Sequence, residues 1–225
     1  MKALVLLHGA LGSDANLTQI AQLLSTEYSV YPFCFSGHGN KDFSNNFGID
    51  QFSEELQQFI SENKLEQPTV FGFSMGGYVA LKLEAKLPGT FEKIITLGTK
   101  FDWTVASSEK EASLLNPSVL EEKVPAYAAY LKQLHGDSWE ELVGKTAQMM
   151  LEMGQHPPLS SSDLKNITCP VICGRGENDK MVRADETIEI VNQLANGTYE
   201  EVPKWIHPIE RLDADELAKW IKTFI

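Results

Sequence analysis

A chain of 225 residues, 43% hydrophobic and 22% charged, can bury a substantial core and has the composition of a globular domain, not of a disordered or fibrous chain. Its formal net charge of −12 repels phosphate backbones and anionic lipid, so nucleic acid and membranes are excluded as expected partners and a small molecule is left. Three cysteines, Cys34, Cys169 and Cys173, give an odd count and no disulfide framework.

Cys169 and Cys173 stand roughly 13 Å apart at the rise of a strand, too far to bridge, which points to buried thiols in a reducing compartment. The apolar run before His8 is too short for a signal peptide or a membrane span. A cytoplasmic location is therefore expected.

Short apolar runs alternate with amphipathic segments along the chain, the pattern of parallel βαβ units. Ala3–Leu7 is almost continuously apolar, as a strand buried on both faces requires. Asp14 is placed to cap a helix carrying Leu17, Ile20, Leu23 and Leu24. Residues 28–35 read as the next strand, followed by a turn-rich stretch holding Gly37, Gly39, Asn40, Asn45, Asn46 and Gly48. A helix from about Asp50 carries Phe52, Leu56, Phe59 and Ile60 on one face.

Thr69–Phe73 is a strand running straight into a helix near Met75, and Lys93–Leu97 is another strand. Residues 171–173 with their neighbours, and 198–202, supply the last two strands; 184–194 and 213–224 read as helices, with Asp213 and Glu216 spaced as a capping box. No strand signal appears between Trp103 and about Ser162. Asn116-Pro117 starts one helix there and Ser138 with Glu141 matches a capping box for a second, while Pro157-Pro158 and Ser160 to Ser162 read as an exit linker. The domain division is thus a core of 1–102 and 163–225 with a helical insertion of 103–162.

The strongest chemical signal is Gly72-Phe73-Ser74-Met75-Gly76, extended by Gly77 and lying between a strand and a helix. This is the G-x-S-x-G pattern in the context it demands: glycines permit a tight, strained turn that lifts the Ser74 hydroxyl to the sheet edge, beside the positive end of a helix. His8-Gly9-Ala10-Leu11-Gly12 ends the first strand. Its glycines allow a sharp turn that carries the Ala10 N–H towards the serine, where with the N–H of Met75 it would make a two-donor oxyanion hole. His8 itself reads as a brace for that loop.

Together with Ser36-Gly37-His38-Gly39 and Gly176-Glu177-Asn178-Asp179-Lys180-Met181-Val182, these motifs resemble, in order and spacing, the α/β-hydrolase superfamily over nearly the whole chain. Small esterase-like and acyl-transferring members are the most similar, including those acting on menaquinone precursors. The resemblance implies an α/β fold with a doubly wound, mostly parallel sheet of about six strands and a helical lid. Only Met1 and Lys2 precede the first strand, so the entry strands usual in the family are expected to be missing.

The resemblance further implies a triad of Ser74 as nucleophile, His207 as base and Asp179 as the acid that orients it. Asp179 matches the family's Gly-x-x-Asp-x-x-Val loop, and Asp102, just beyond Lys93–Leu97, stays open as an alternative acid. Leu11, Trp103, Tyr127, Tyr130, Met150 and Trp205 are candidates for an apolar substrate pocket, although aromatic and methionine stripes on helices are commonly core. No spacing of histidines and cysteines suggests a metal site and no phosphate-binding loop is present, so no cofactor is expected.

The expected reaction is hydrolysis of a small-molecule carboxylic ester or thioester through an acyl-enzyme. A C–C hydrolase or lyase using the same triad, and a ligand-binding homologue without turnover, are the alternatives, because a fold alone does not choose a reaction.

Overall fold

The computed structural model describes residues 1–225. Six strands, β1 Ala3–Leu7, β2 Ser29–Phe33, β3 Thr69–Phe73, β4 Lys93–Leu97, β5 Val171–Gly176 and β6 Gly197–Val202, pair in the order β2-β1-β3-β4-β5-β6. Every pairing is parallel. The expected sheet of six strands is what the chain forms.

Alternation along each strand sends successive side chains to opposite faces, and both faces are covered. Val5, Leu7, Val70 and Ile94 pack into one core, whereas Leu4, Leu6, Phe71 and Ile95 belong to a second. The first core is closed by α2 (Ile49–Glu62) and α3 (Met75–Lys86), the second by α1 (Thr18–Leu24) and, at the far end of the chain, α10 (Ala214–Lys222). Each residue of β3 is buried, while β2 and β6 at the two edges are only partly covered. That gradient matches the apolar runs of the central strands.

Between β4 and β5 the chain is wholly helical: α4 (Val105–Ser113), α5 (Pro117–Lys123), α6 (Pro125–His135), α7 (Trp139–Gln155) and α8 (Ser161–Asn166). Leu120, Ala128, Leu131, Trp139, Leu142 and Val143 give the insertion a small core of its own, and Leu11 from the loop after β1 reaches into it. A last helix, α9 (Ala184–Val191), joins β5 to β6.

Several local expectations shift. Ser13, not Asp14, makes the cap, and its own amide donates to Asn16 Oδ1 in return, because a short 3₁₀ turn at Asp14–Leu17 precedes α1. Ser138 makes no side-chain cap to α7, since it ends a 3₁₀ turn in helical conformation and lacks the extended backbone a capping hydroxyl requires. The Ser160 to Ser162 run is not a plain linker: Ser160 caps α8 through a reciprocal bond with Asp163. Asn116 caps α5 ahead of Pro117, and Asp213 caps α10, as expected.

Candidate active site

The strand order reverses at β1, whose two neighbours are β2 and β3, so the carboxyl ends of β1 and β3 open the crevice typical of such sheets. Ser74 stands there, at the turn from β3 into α3, with φ 50° and ψ −115°, a left-handed conformation that costs a non-glycine residue on the order of 1–3 kcal/mol. The surroundings hold it. Its amide donates to the Leu97 carbonyl at 2.8 Å and its carbonyl accepts from Thr99 Oγ1 at 3.0 Å.

Close approach explains the glycines. A Cβ on Gly76 would lie 2.7 Å from the His8 carbonyl oxygen, and one on Gly72 would lie 2.5 Å from the Gly76 carbonyl carbon. The loop after β1 rests directly on this turn, for a Cβ on Gly9 would come within 3.2 Å of Ser74 Cβ. The Ala10 N–H in that loop donates to no protein acceptor. Met75 is the first residue of α3, where an amide has no partner within the helix and the helix dipole is positive.

Asp179 and His207 meet. Asp179 follows β5, is 6% exposed, and its Oδ2 accepts from His207 Nδ1 at 2.8 Å. Its other oxygen accepts the amides of Met181 at 2.8 Å and Val182 at 2.9 Å. Burial pushes this carboxyl up, but the His207 hydrogen bond, the imidazole charge and the two amides together hold it below its usual value. Arg175 clamps the loop by donating to the carbonyls of Asp179 at 3.1 Å and Val182 at 2.8 Å. His207 packs against Phe73, the residue before Ser74, with ring centroids 5.2 Å apart.

Ser74 and His207 line one cavity of about 290 Å³ between the sheet edge and the insertion. Of the expected pocket residues, Leu11, Trp103, Tyr127, Tyr130 and Met150 line it, as do Ala10 and Met75. Trp205 does not. It packs beneath the Asp179 loop in the second core, edge-on to Trp220 at 5.8 Å, and its carbonyl accepts the Asn178 amide at 2.9 Å. A bulky residue two positions before His207 thus supports the loop from behind.

Asp102 is not brought to His207 either. Its carboxylate pairs with Arg183 at 2.9 Å and borders a separate cavity on the far side of Trp103. The Arg183 hydrogen bond holds it below the usual carboxylate range. His8 is the loop brace expected: Nδ1 donates to the Gly9 carbonyl at 2.8 Å and Nε2 accepts the Phe35 amide at 3.2 Å. His38 is enclosed by Phe35, Phe47 and Phe52. No cluster of three or more His, Cys, Asp or Glu side chains could hold a metal ion.

Sequence reasoning missed two buried charged residues of the cavity, Lys100 and Glu111, together with Met181. The Met181 position follows from its place two residues after Asp179. The two charges carry no such signal, as isolated charged residues in loop and helix read as solvated.

A sequence profile described as the alpha/beta hydrolase fold matches residues 2–131. The chain is 31% identical over 94 residues to a Haemophilus influenzae protein designated an esterase/lipase, an alignment covering 42% of this chain and 33% of that one. It is 27% identical over 129 residues to the sn-1-specific diacylglycerol lipase of Mus musculus, covering 56% of this chain and 42% of the relative. The chain therefore aligns with less than half the length of these relatives. Among solved structures, an esterase from Thermogutta terrifontis superposes with a TM-score of 0.79 at 16% identity, covering 100% of this chain and 89% of the other. The enol-lactonase of Burkholderia xenovorans does so at 0.77 and 18% identity, covering 99% and 90%. At such identities these two structures establish the fold alone.

Proposed function

Because the chain belongs to the alpha/beta hydrolase fold family, we propose that it is a serine hydrolase that cleaves a carboxylic ester or thioester through an acyl-enzyme on Ser74. One observation carries this reading: His207, bonded to Asp179 at 2.8 Å, lines the same cavity as Ser74. With Nδ1 donating to Asp179, the neutral imidazole leaves Nε2 as the proton acceptor, the tautomer a general base needs.

In the first step Ser74 Oγ bonds to the carbonyl carbon and its proton passes to His207 Nε2. The Ala10 and Met75 amides stabilise the oxyanion, and the leaving alcohol or thiol departs with the proton from His207. Water then attacks the acyl-enzyme, gives its proton to His207, and the acid leaves as Ser74 is reprotonated. Asp179 keeps the ring in register and stabilises the imidazolium.

The apolar lining of the cavity favours a substrate with hydrocarbon character, and the insertion of 103–162, which roofs the cavity, is read as the lid. Three unpaired, buried cysteines favour a reducing compartment, and the cytoplasm is proposed. No helix is long and apolar enough to cross a membrane.

A fluorophosphonate probe tests the reading. Labelling of the folded protein that disappears in Ser74→Ala is expected, together with turnover of p-nitrophenyl esters. Folded protein that neither labels nor turns over would favour the non-catalytic homologue instead.

A further inference from the structure

Glu111 on α4 lines the same cavity, is 8% exposed, and its carboxylate accepts no hydrogen bond from the protein. Its nearest cation is the neighbouring Lys110 at 3.9 Å, on a side chain 75% exposed and therefore largely screened by water. The cavity's one lysine is matched elsewhere. Lys100 Nζ lies 3.8 Å from Glu186 Oε1 and donates to the Met181 carbonyl at 3.4 Å. The oxygens of this carboxylate keep contact with solvent, so a ligand that fills the cavity displaces that water and must supply a charge or a donor in its place.

Three other residues of an otherwise largely apolar lining suit a cation. Tyr127 and Tyr130 present near-parallel rings 6.2 Å apart, and Glu210 adds a second carboxylate at the rim. Aromatic faces attract cations through their quadrupoles, and a chain of net charge −12 enriches cations around its surface.

We propose that Glu111 is a specificity-determining residue that reads a positively charged group, so that the ester opened at Ser74 carries a protonated or quaternary amine. This rests on the serine-hydrolase reading. The bonds made and broken are those of that reaction, and the amine stays unchanged throughout.

Esters that differ only in charge test it. Butyrylcholine is compared with its carbon isostere 3,3-dimethylbutyl butyrate, placing the cation on the alcohol side. The p-nitrophenyl ester of 4-(trimethylammonio)butanoate is compared with that of 5,5-dimethylhexanoate, placing it on the acyl side, and mono-p-nitrophenyl glutarate supplies an anionic probe.

In at least one pair the cationic member should be favoured in kcat/KM by about tenfold or more, the scale of one charge-assisted contact. That ratio should fall towards one in the near-isosteric Glu111→Gln. A ratio near one in the wild type, a ratio that survives Glu111→Gln, or preference for the glutarate ester each overturns the proposal while leaving a working hydrolase. Absence of any turnover together with absence of fluorophosphonate labelling removes both readings.

Discussion

His135 on α6 donates through Nε2 to the Leu11 carbonyl at 2.9 Å while its Nδ1 accepts the Gly39 amide at 2.9 Å. One imidazole thereby fastens the helical insertion to the loop carrying Ala10 and to the turn beyond β2. The ring is 2% exposed, so its partners would be left without water if it were cut back. His135→Ala is expected to cost about 2–4 kcal/mol, from two lost hydrogen bonds and a cavity. It should also lower kcat on p-nitrophenyl esters, since the loop holding the Ala10 amide loosens. Urea unfolding and steady-state kinetics measure both; unchanged stability would contradict the brace.

The two candidate acids separate by kinetics. Asp179→Asn keeps the shape but favours the wrong imidazole tautomer, and a loss of about 10⁴ in kcat is expected. Asp102→Asn breaks only an exposed pair with Arg183 and should leave the rate nearly unchanged, with a stability change of about 1 kcal/mol or less. Equal losses in the two variants would overturn the placement of Asp179 beside His207.

Acid should begin to destabilise the fold as pH falls below about 6.5, the value for a solvated imidazole. Burial lowers the His8 pKa to about 4, from 6.5 in a solvated chain. Between these values the unfolded chain binds a proton that the folded chain refuses. The stability is thus complete above the unfolded pKa and is lost as pH falls towards the folded one. His8 alone contributes about 3 kcal/mol of this dependence. Burial shifts His38 and His135 in the same direction. Urea midpoints measured across this interval should decline steadily with falling pH; a flat profile would show that the rings are solvated or already charged.

Two glycines should respond oppositely to alanine. Gly76→Ala would drive a methyl group to 2.7 Å from both the His8 carbonyl oxygen and Leu7 Cβ, and a loss of at least about 2 kcal/mol is expected, with activity falling as the turn shifts. A Cβ on Gly144, inside α7, meets nothing within 4 Å. Gly144→Ala should therefore stabilise by about 0.5–1 kcal/mol through helix propensity. Thermal unfolding of the two variants reads the contrast.

The sheet and the serine turn were legible because each has a local cause, whereas the meeting of Asp179 with His207 was expected only through the family resemblance. A strand covered on both faces must be apolar throughout, and a serine on a strand-to-helix turn needs glycines at fixed offsets. The loop after β5 could be matched by its glycine, aspartate and valine. What escaped depends on direction, not on position along the chain. Trp205 lies in the right loop but turns under it, and nothing in the order Lys204-Trp205-Ile206-His207 states which side of the sheet a residue faces. Asp102 follows the right strand, yet Arg183 from a distant segment claims it. Ser138 has capping spacing but not the extended backbone that capping demands. Lys100 and Glu111 owe their burial to packing between the insertion and the core, which no window of sequence contains.

The amide of Ser74 is paired to the carbonyl of Leu97 on the neighbouring strand, so β-ladder pairing continues one residue past the end of β3. The bend cannot relax by itself. To open, it must peel away a rung of the central sheet, and its lifetime is therefore tied to that of the whole domain. A strained hydroxyl-bearing residue in this setting behaves as part of the scaffold, poised without being mobile.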